Sequence, residues 1–419
     1  MTNPANSKLT DVRMKGFASR STVESAVAWI DSALANVKSG GTDRTDSCGL
    51  FELAGRILAK DIVSTINVPG FTRSMMDGFA LRANETYGAT PYNNLSFQVI
   101  GTSFPGRPFE GTVRPGTAVR IMTGAPMPDG ADAVLPVEFT EWTENTLTAM
   151  GEVSVGKNVG AIGEDVAEGS VLLKTGRVLR PQDAGVLSSI GCSSVPVVRK
   201  PVVRILITGN ELLPAGTAPT GYQIADANGP MLKALVERDG GCQVLPQFVK
   251  DDRNSLRAAM LEPADVILVS GGSSVGQEDH APEILKELGT LAIHGIAMRP
   301  SSPAGMGQIG STFVFLLPGN PVSCLCAYDF FAGRAIRGLG GRSLDWPYAK
   351  KDVVLTRKLV STVGRVDYAR VKINGTEAEP LAISGASVLS STTQSDGFII
   401  IPADSEGLPP HSRVTAYLY

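Results

Sequence analysis

Residues 266–276 read Val-Ile-Leu-Val-Ser-Gly-Gly-Ser-Ser-Val-Gly, and residues 313–321 read Phe-Val-Phe-Leu-Leu-Pro-Gly-Asn-Pro. Each is a short apolar run that stops at a glycine turn. A run with no polar alternation suits a strand covered on both faces. Working outward, Val203–Ile207 is a third such run, ending in Thr208-Gly209-Asn210-Glu211, and Cys242–Phe248 a fourth, leading to Lys250-Asp251-Asp252. A helix is expected at about 229–239, with Asn228 as its cap and Pro230 in its first turn. Helices are also expected after Asp252, after the glycine turn, and from Pro321 to about Gly338. Alternating strands and helices of these lengths imply a mostly parallel sheet in a three-layer αβα domain.

The rest of the chain has a different rhythm. Residues 1–20 read as a loose tail. Ser21 and Glu24 form a capping-box pattern ahead of Val23, Val27, Ile30, Leu34 and Val37, one apolar face of a helix that Gly40 and Gly41 end. Phe97–Ile100 and Ala131–Pro136 lie among Pro, Gly and Asn turns and imply a mainly β segment. Residues 145–200 read as Gly-rich turns and short strands ending in Val195–Val198, and 345–419 as a small β domain. The expected division is a tail at 1–20, a discontinuous linking or dimerisation domain at 21–65 and 145–198, a mainly β domain at 66–144, an α/β domain at 199–340 and a C-terminal β domain at 345–419.

Bulk properties exclude several classes. The formal net charge of −3 and the lack of a Lys/Arg run argue against a nucleic-acid partner. The five cysteines form no C-x-x-C pair and read as free thiols in a reduced cytoplasm. Three histidines without ligand spacing give no zinc signature. The N-terminus has no apolar signal segment, and no stretch approaches the length of a membrane helix. A cytoplasmic protein with no membrane contact is expected.

Ligands of open parallel sheets bind beyond the C-terminal strand ends. Four ends are visible, each with polar punctuation. The glycines of Ser270-Gly271-Gly272-Ser273-Ser274-Val275-Gly276 let a backbone approach an anion beside a helix start. The bland alternative is an ordinary strand-to-helix turn, and the segment is neither a Walker loop nor a GxGxxG fingerprint. Glu211, Asp251 and Asp279 all follow expected strands. If those strands are neighbours, the three carboxylates would repel unless a hard cation such as Mg²⁺ joined them. Singly, each is as well explained as a solvated loop or cap charge.

The strings SMMDGFAL (74–81), RIMTGAPMPDGADAV (120–134), GEDVAEG (163–169), ITGNEL (207–212), SGGSSVGQED (270–279) and LPGNPVS (317–323) occur in that order, with GRVDYARV (364–371) and SDGFIIIP (395–402) near the end. Together they resemble the molybdopterin molybdenumtransferase family, which includes the E domain of gephyrin, over about residues 20–419. The resemblance implies four domains in an elongated homodimer, with a cleft between the α/β domain of one subunit and the second domain of the other. It implies Mg²⁺-dependent insertion of molybdate into adenylylated molybdopterin with release of AMP. It also implies contact with a molybdopterin adenylyltransferase and with recipient molybdoenzymes. A molybdopterin-binding carrier of low turnover is the alternative, and a hydrolase for another nucleotide a third reading.

Carried over residue by residue, Asp77 and Thr123 fall on the second-domain wall of the cleft, and Asp165 is a further family acid. Glu211, Asp251 and Asp279 fall on acids at the sheet edge, assigned to Mg²⁺ or water handling. Asp226 and Asn228 match a D-x-N before a helix. Ser270, Gly271, Gly272, Ser274 and Gly276 would cradle phosphate, and Pro318, Gly319, Asn320, Pro321 and Ser323 would shape the floor. The chain departs from the family where Asn210 replaces an acid and where Gly295 and Ser302 stand at positions often held by lysine. Arg299 keeps one cation there, as a fork rather than a point charge.

Overall fold

The computed structural model describes residues 19–39, 44–243, 245–272, 280–382 and 385–419. Two compact units emerge: one joins the described residues up to Thr45 with Val198–Tyr419, the other is Asp46–Val197.

In the first unit, a sheet runs through Cys242–Gln243, Val202–Thr208, Val266–Ser270, Thr312–Leu317, Gly305–Ile309 and Thr290–His294, and Gln247–Val249 pairs the far half of Val202–Thr208. The pairings among the first four strands are parallel, and the last two strands are antiparallel additions. Side chains alternate between faces along each strand. Val203, Ile205, Ile207, Val266, Leu268, Phe313, Phe315 and Leu317 enter one core, and Leu206, Ile267, Val269, Val314 and Leu316 enter the other. Arg204, inside the expected apolar run, stays buried because Ala259 O (2.7 Å), Gln247 and Glu262 (2.6 Å) take its guanidinium.

Helices Val23–Ser39, Asn228–Arg238 and Pro321–Ala327 cover the first face, the last continuing through a π-turn at Tyr328–Ala332 into Gly333–Leu339. Arg253–Met260 and Ala281–Leu288 cover the second. Helix Val23–Ser39, assigned from sequence to the linking segment, packs on the α/β domain instead. Gly338 lets it approach: a Cβ there would lie 2.6 Å from Leu34. Its cap also differs from expectation. Thr22 Oγ1 accepts the Ser25 N–H (3.1 Å), while Ser21 makes a β-bridge to Ile296.

The C-terminal β domain closes on itself. Val366–Asn374, Glu377–Ala382, Ala349–Leu355, Arg413–Leu418 and Gly397–Ile401 follow in order, and Gly397–Ile401 pairs back to Val366–Asn374. Its interior holds Val353, Leu355, Val371, Ile399 and Ile401. Met298–Arg299 leaves the α/β domain to pair with Val366–Asp367, and Tyr368 and Phe398, stacked at 4.2 Å, pack into the α/β core.

The second unit holds a six-stranded sheet, Ala133–Pro136, Gly78–Leu81, Thr117–Ile121, Leu95–Ser103, Thr146–Ala149 and Thr140–Thr143, over a core of Phe79, Leu81, Phe97, Leu135 and Leu147. The stretch expected to hold only turns and short strands also contains helix Pro181–Ser189. Asp183 fixes its first turn, accepting the Arg180 N–H (2.8 Å) and a two-pronged bond from Arg177 (3.0 and 2.9 Å). Among the described residues, no helix is long and apolar enough to cross a membrane.

Candidate functional site

The register of the parallel strands lines up their ends. Ile207 lies beside Ser270, Ser270 beside Leu317, and Thr208 beside Val249. The turns that follow therefore leave the sheet along one edge. Gly271 takes φ +98°, and a Cβ there would lie 2.4 Å from Thr208 O. No other residue fits that place. Gly319 approaches within 3.7 Å of the Gly271 Cα, as measured from its own Cβ position, so the two glycine turns touch.

Asn228 ties these turns together. Its Nδ2 donates to Ser270 Oγ (2.9 Å) and to Gly319 O (2.8 Å). The expectation that Asn228 caps its helix is corrected. Asp226 does so, its carboxylate accepting the N–H groups of Asn228 (2.9 Å) and Gly229 (3.0 Å). The Asn228 side chain is thereby free for the strand ends. Its Oδ1 is buried and accepts no hydrogen bond from any described residue. Cys324 sits against Ser270. Burial pushes its thiol up to about 12, so it stays neutral at physiological pH.

The acids are less gathered than the glycines. Glu211 is exposed and Asp251 half-buried, at the ends of neighbouring strands. The adjacent Asp252 is the helix cap. It accepts the Ser255 N–H (2.9 Å), and the hydrogen bonds from Ser255 hold its carboxyl below the ordinary range. Ser274, Gly276 and Asp279 lie outside the described residues. Among the described residues, no three acid, His or Cys side chains form a metal-holding group.

A cavity of about 780 Å³ opens beside this edge, within the same unit. Pro318, Asn320 and Ser323 form one wall, and Arg299, Ser302 and Arg365 another. Pro321 starts the helix beneath them, where its missing N–H costs nothing. The arginines share one carboxylate. Arg299 Nη2 lies 2.5 Å from Asp367 Oδ2 and Arg365 Nε 3.2 Å from Oδ1, with Ser361 Oγ adding a donor at 2.8 Å. Asp367 is fully buried. Two cations against one anion leave a net positive wall. Arg299 Nε and Ser302 Oγ are buried there with no hydrogen-bond partner among the described residues.

Sequence reasoning named Arg299 but missed Arg365, Asp367 and Ser361. The string GRVDYARV (364–371) carries family likeness alone. An arginine two residues before an acid in a strand was the available signal, because period-two spacing puts both on one face. Ser302 lines the cavity, whereas Gly295 is not among its lining residues and instead gives its carbonyl to the Ser21 N–H (3.0 Å).

In the second unit, Asp77 Oδ1 accepts both the backbone N–H and the Oγ1–H of Thr123, each at 2.7 Å. These two bonds, the backbone one first, hold the exposed Asp77 carboxyl below its ordinary value, and the charge of Arg120 adds to them. Arg120 is itself fixed over the Trp142 ring, 4.7 Å from its centroid. Asp165 is exposed. Its neighbour Glu164 is the engaged acid, paired with Arg73 at 2.7 Å.

The chain matches three family descriptions in order: the MoeA N-terminal region (domains I and II) over residues 21–191, the probable molybdopterin-binding domain over 204–337, and the MoeA C-terminal region (domain IV) over 352–419. A putative molybdopterin biosynthesis protein of Methanocaldococcus jannaschii is 32% identical over 88% of this chain and 91% of its own. Molybdopterin molybdenumtransferase 2 of Mycobacterium tuberculosis is 35% identical over 77% of this chain and 81% of its own. The crystal structure of a molybdopterin biosynthesis MoeA protein from Pyrococcus horikoshii superposes with a TM-score of 0.79 at 32% identity, covering 93% of this chain and 98% of that one.

Proposed function

This chain belongs to the MoeA family, and on that premise we propose that it inserts molybdate into adenylylated molybdopterin with release of AMP. The reading makes it a transferase of molybdenum cofactor biosynthesis. The observation that supports it best is one turn with two roles. Residues 318–323 touch the glycine edge through Gly319 and wall the positive cavity through Pro318, Asn320 and Ser323. A phosphate-bearing ligand and a small oxyanion would thus lie on either side of one piece of backbone.

In this reading the backbone of Gly271 and Gly272 and the Ser270 hydroxyl receive the pyrophosphate. Asn228 holds the two turns at fixed spacing. Arg299, Arg365 and Ser302 receive molybdate. Water adds to phosphorus as the bridging P–O bond breaks, and AMP leaves. Two dithiolene sulfurs then replace one molybdate oxide, which departs with their protons as water. The neutral Cys324 thiol offers molybdenum no competing thiolate.

Glu211 and Asp251, with Asp279, are assigned to Mg²⁺. Mg²⁺ binds through one or two carboxylates plus substrate phosphate oxygens, so two oxygen donors on neighbouring strand ends suit it. When bound, it would neutralise charge on the pyrophosphate oxygens. Asp77, held ionised by Thr123, and Asp165 are assigned to the cleft wall that a partner subunit presents in a homodimer. The reading also places the enzyme in the cytoplasm, between a molybdopterin adenylyltransferase and recipient molybdoenzymes.

The test is incubation with adenylylated molybdopterin, molybdate and Mg²⁺, with AMP followed by chromatography. AMP release that falls on the order of a hundredfold in Asp279→Ala, the scale of losing one electrostatic stabiliser, supports the reading. No AMP, with tight pterin binding by calorimetry, supports a carrier. Ser302 in the oxyanion cavity, where a further cation would strengthen the grip, is the observation that favours that second reading.

A further inference from the structure

After Met298–Arg299 the chain runs through Pro300-Ser301-Ser302-Pro303 and re-enters the sheet at Gly305. Residues 299–303 all line the cavity of about 780 Å³. Ser301 is unusual there in its backbone. Its φ is +85°, in the left-handed region that favours glycine. Among the described residues, three other non-glycine residues share such a φ: Glu144, Asn158 and His411. Glu144 turns a β-hairpin, His411 is exposed and Asn158 is half-buried. Ser301 alone of these is buried, at 2% exposure.

A side chain in that conformation costs free energy and persists only where its surroundings over-determine it. Three hydrogen bonds do so. The Ser301 carbonyl accepts the Ala304 N–H (3.0 Å), the Ser302 carbonyl accepts the Ile296 N–H (2.8 Å), and the Ser301 hydroxyl donates to Ser323 O. The first two close the loop on its own strand. The third crosses from the wall that carries Arg299 and Ser302 to the wall that carries Pro318, Asn320 and Ser323. That second wall is fixed independently. Val322 N–H donates to Ala386 O and Cys324 N–H to Asn320 O, each at 2.9 Å. Glycine would take the same φ without strain, but it has no hydroxyl to join the two walls.

We infer that Ser301 is a positioning residue for the oxyanion: its hydroxyl fixes the separation of the two cavity walls, so that donors from both meet one molybdate. The inference rests on the reading that this cavity takes molybdate. Ser301 acts through the backbone that carries Arg299 and Ser302, not by touching the anion. Without the tie the walls sample a range of separations, and the anion must order them when it binds. Fixing them beforehand removes that cost from binding.

The experiment compares Ser301→Gly, which removes the hydroxyl and the strain, with Ser301→Ala, which removes the hydroxyl and keeps the strain. Molybdate is titrated into the full-length protein by calorimetry, thermal unfolding is measured on the same samples, and KM is determined for each substrate. Arg365→Ala is run beside them. Both Ser301 variants are expected to bind molybdate about fivefold more weakly, the worth of one neutral hydrogen bond. The KM for molybdate rises by the same factor and the KM for adenylylated molybdopterin stays unchanged, while Ser301→Gly unfolds at a higher temperature than Ser301→Ala. A merely structural serine would make affinity follow stability. Wild-type molybdate affinity in Ser301→Gly, with a loss confined to Ser301→Ala, therefore overturns the proposal. Molybdate binding indifferent to Arg365→Ala refutes the assignment of the cavity, and the proposal with it. Binding weakened by Arg365→Ala but untouched in both Ser301 variants refutes the proposal alone. If Ser301→Ala fails to fold, the Ser301→Gly affinity decides.

Discussion

Arg299 and Asp367 face each other in register on two parallel strands, and the guanidinium of one closes on the fully buried carboxylate of the other. The pair joins the α/β domain to the C-terminal barrel and, with Arg365, forms the positive wall of the cavity. Removing Arg365 takes a cation from that wall while Arg299 and Ser361 keep their bonds to Asp367 Oδ2. Arg365→Ala is therefore expected to raise the KM for molybdate on the order of tenfold, the worth of one charge-assisted hydrogen bond, and to leave the KM for the pterin unchanged. Steady-state kinetics with each substrate varied in turn check this. Ser302→Lys is expected to move the molybdate KM the other way.

Asn228 is the joint between two turns. Asn228→Ala leaves Ser270 Oγ and Gly319 O without their buried partner, a loss of about 1–3 kcal/mol. The expected outcome is that loss in urea denaturation, together with weaker pterin binding in calorimetry. Full stability with weakened binding would assign the residue to the ligand alone.

Gly271 has the left-handed conformation and the crowding that only glycine tolerates. Gly271→Ala places a methyl group against Thr208 O. It is expected to destabilise the protein by about 1–3 kcal/mol or to shift the turn, and to abolish phosphate binding in either case. Thermal unfolding and a ligand titration on the same sample measure both.

Asp77 gives a pH prediction. A carboxyl whose folded pKa is depressed contributes stability at pH values above its unfolded pKa and loses it as the pH falls through the folded pKa. Asp77 is exposed, so this contribution is small. The midpoint itself is the observable. NMR titration should place it below the ordinary aspartate value. Thr123→Val removes one of the two bonds and keeps the backbone one, so the midpoint should rise part of the way back. An unchanged midpoint would mean that the Thr123 hydroxyl does not hold the acid.

The α/β layer was legible because its strands are covered on both faces. Uninterrupted runs such as 266–270 leave little else for a chain to do. Helix 23–39 was legible as a helix but not by its neighbour, since an apolar stripe does not say what it packs on; the small surface of Gly338 decides that from 300 residues away. The same limit governs the site. The glycine turns are legible in local pattern, whereas Asn228 reads locally only as a helix cap, a role Asp226 takes, and enters the site through the family's D-x-N alone. Arg365, Asp367 and Ser361 converge with Arg299 only through barrel closure. Long-range pairing of that kind leaves no local spacing to read.

The most direct measurement of the central claim is the ratio of AMP released to molybdenum bound by the dithiolene in a single turnover, from nucleotide chromatography and metal analysis of the same quenched sample. A one-to-one ratio that needs molybdate and Mg²⁺, and is lost in Asn228→Ala, is the predicted result. Molybdenum loading without AMP, or AMP release indifferent to the strand-end residues, would contradict the account.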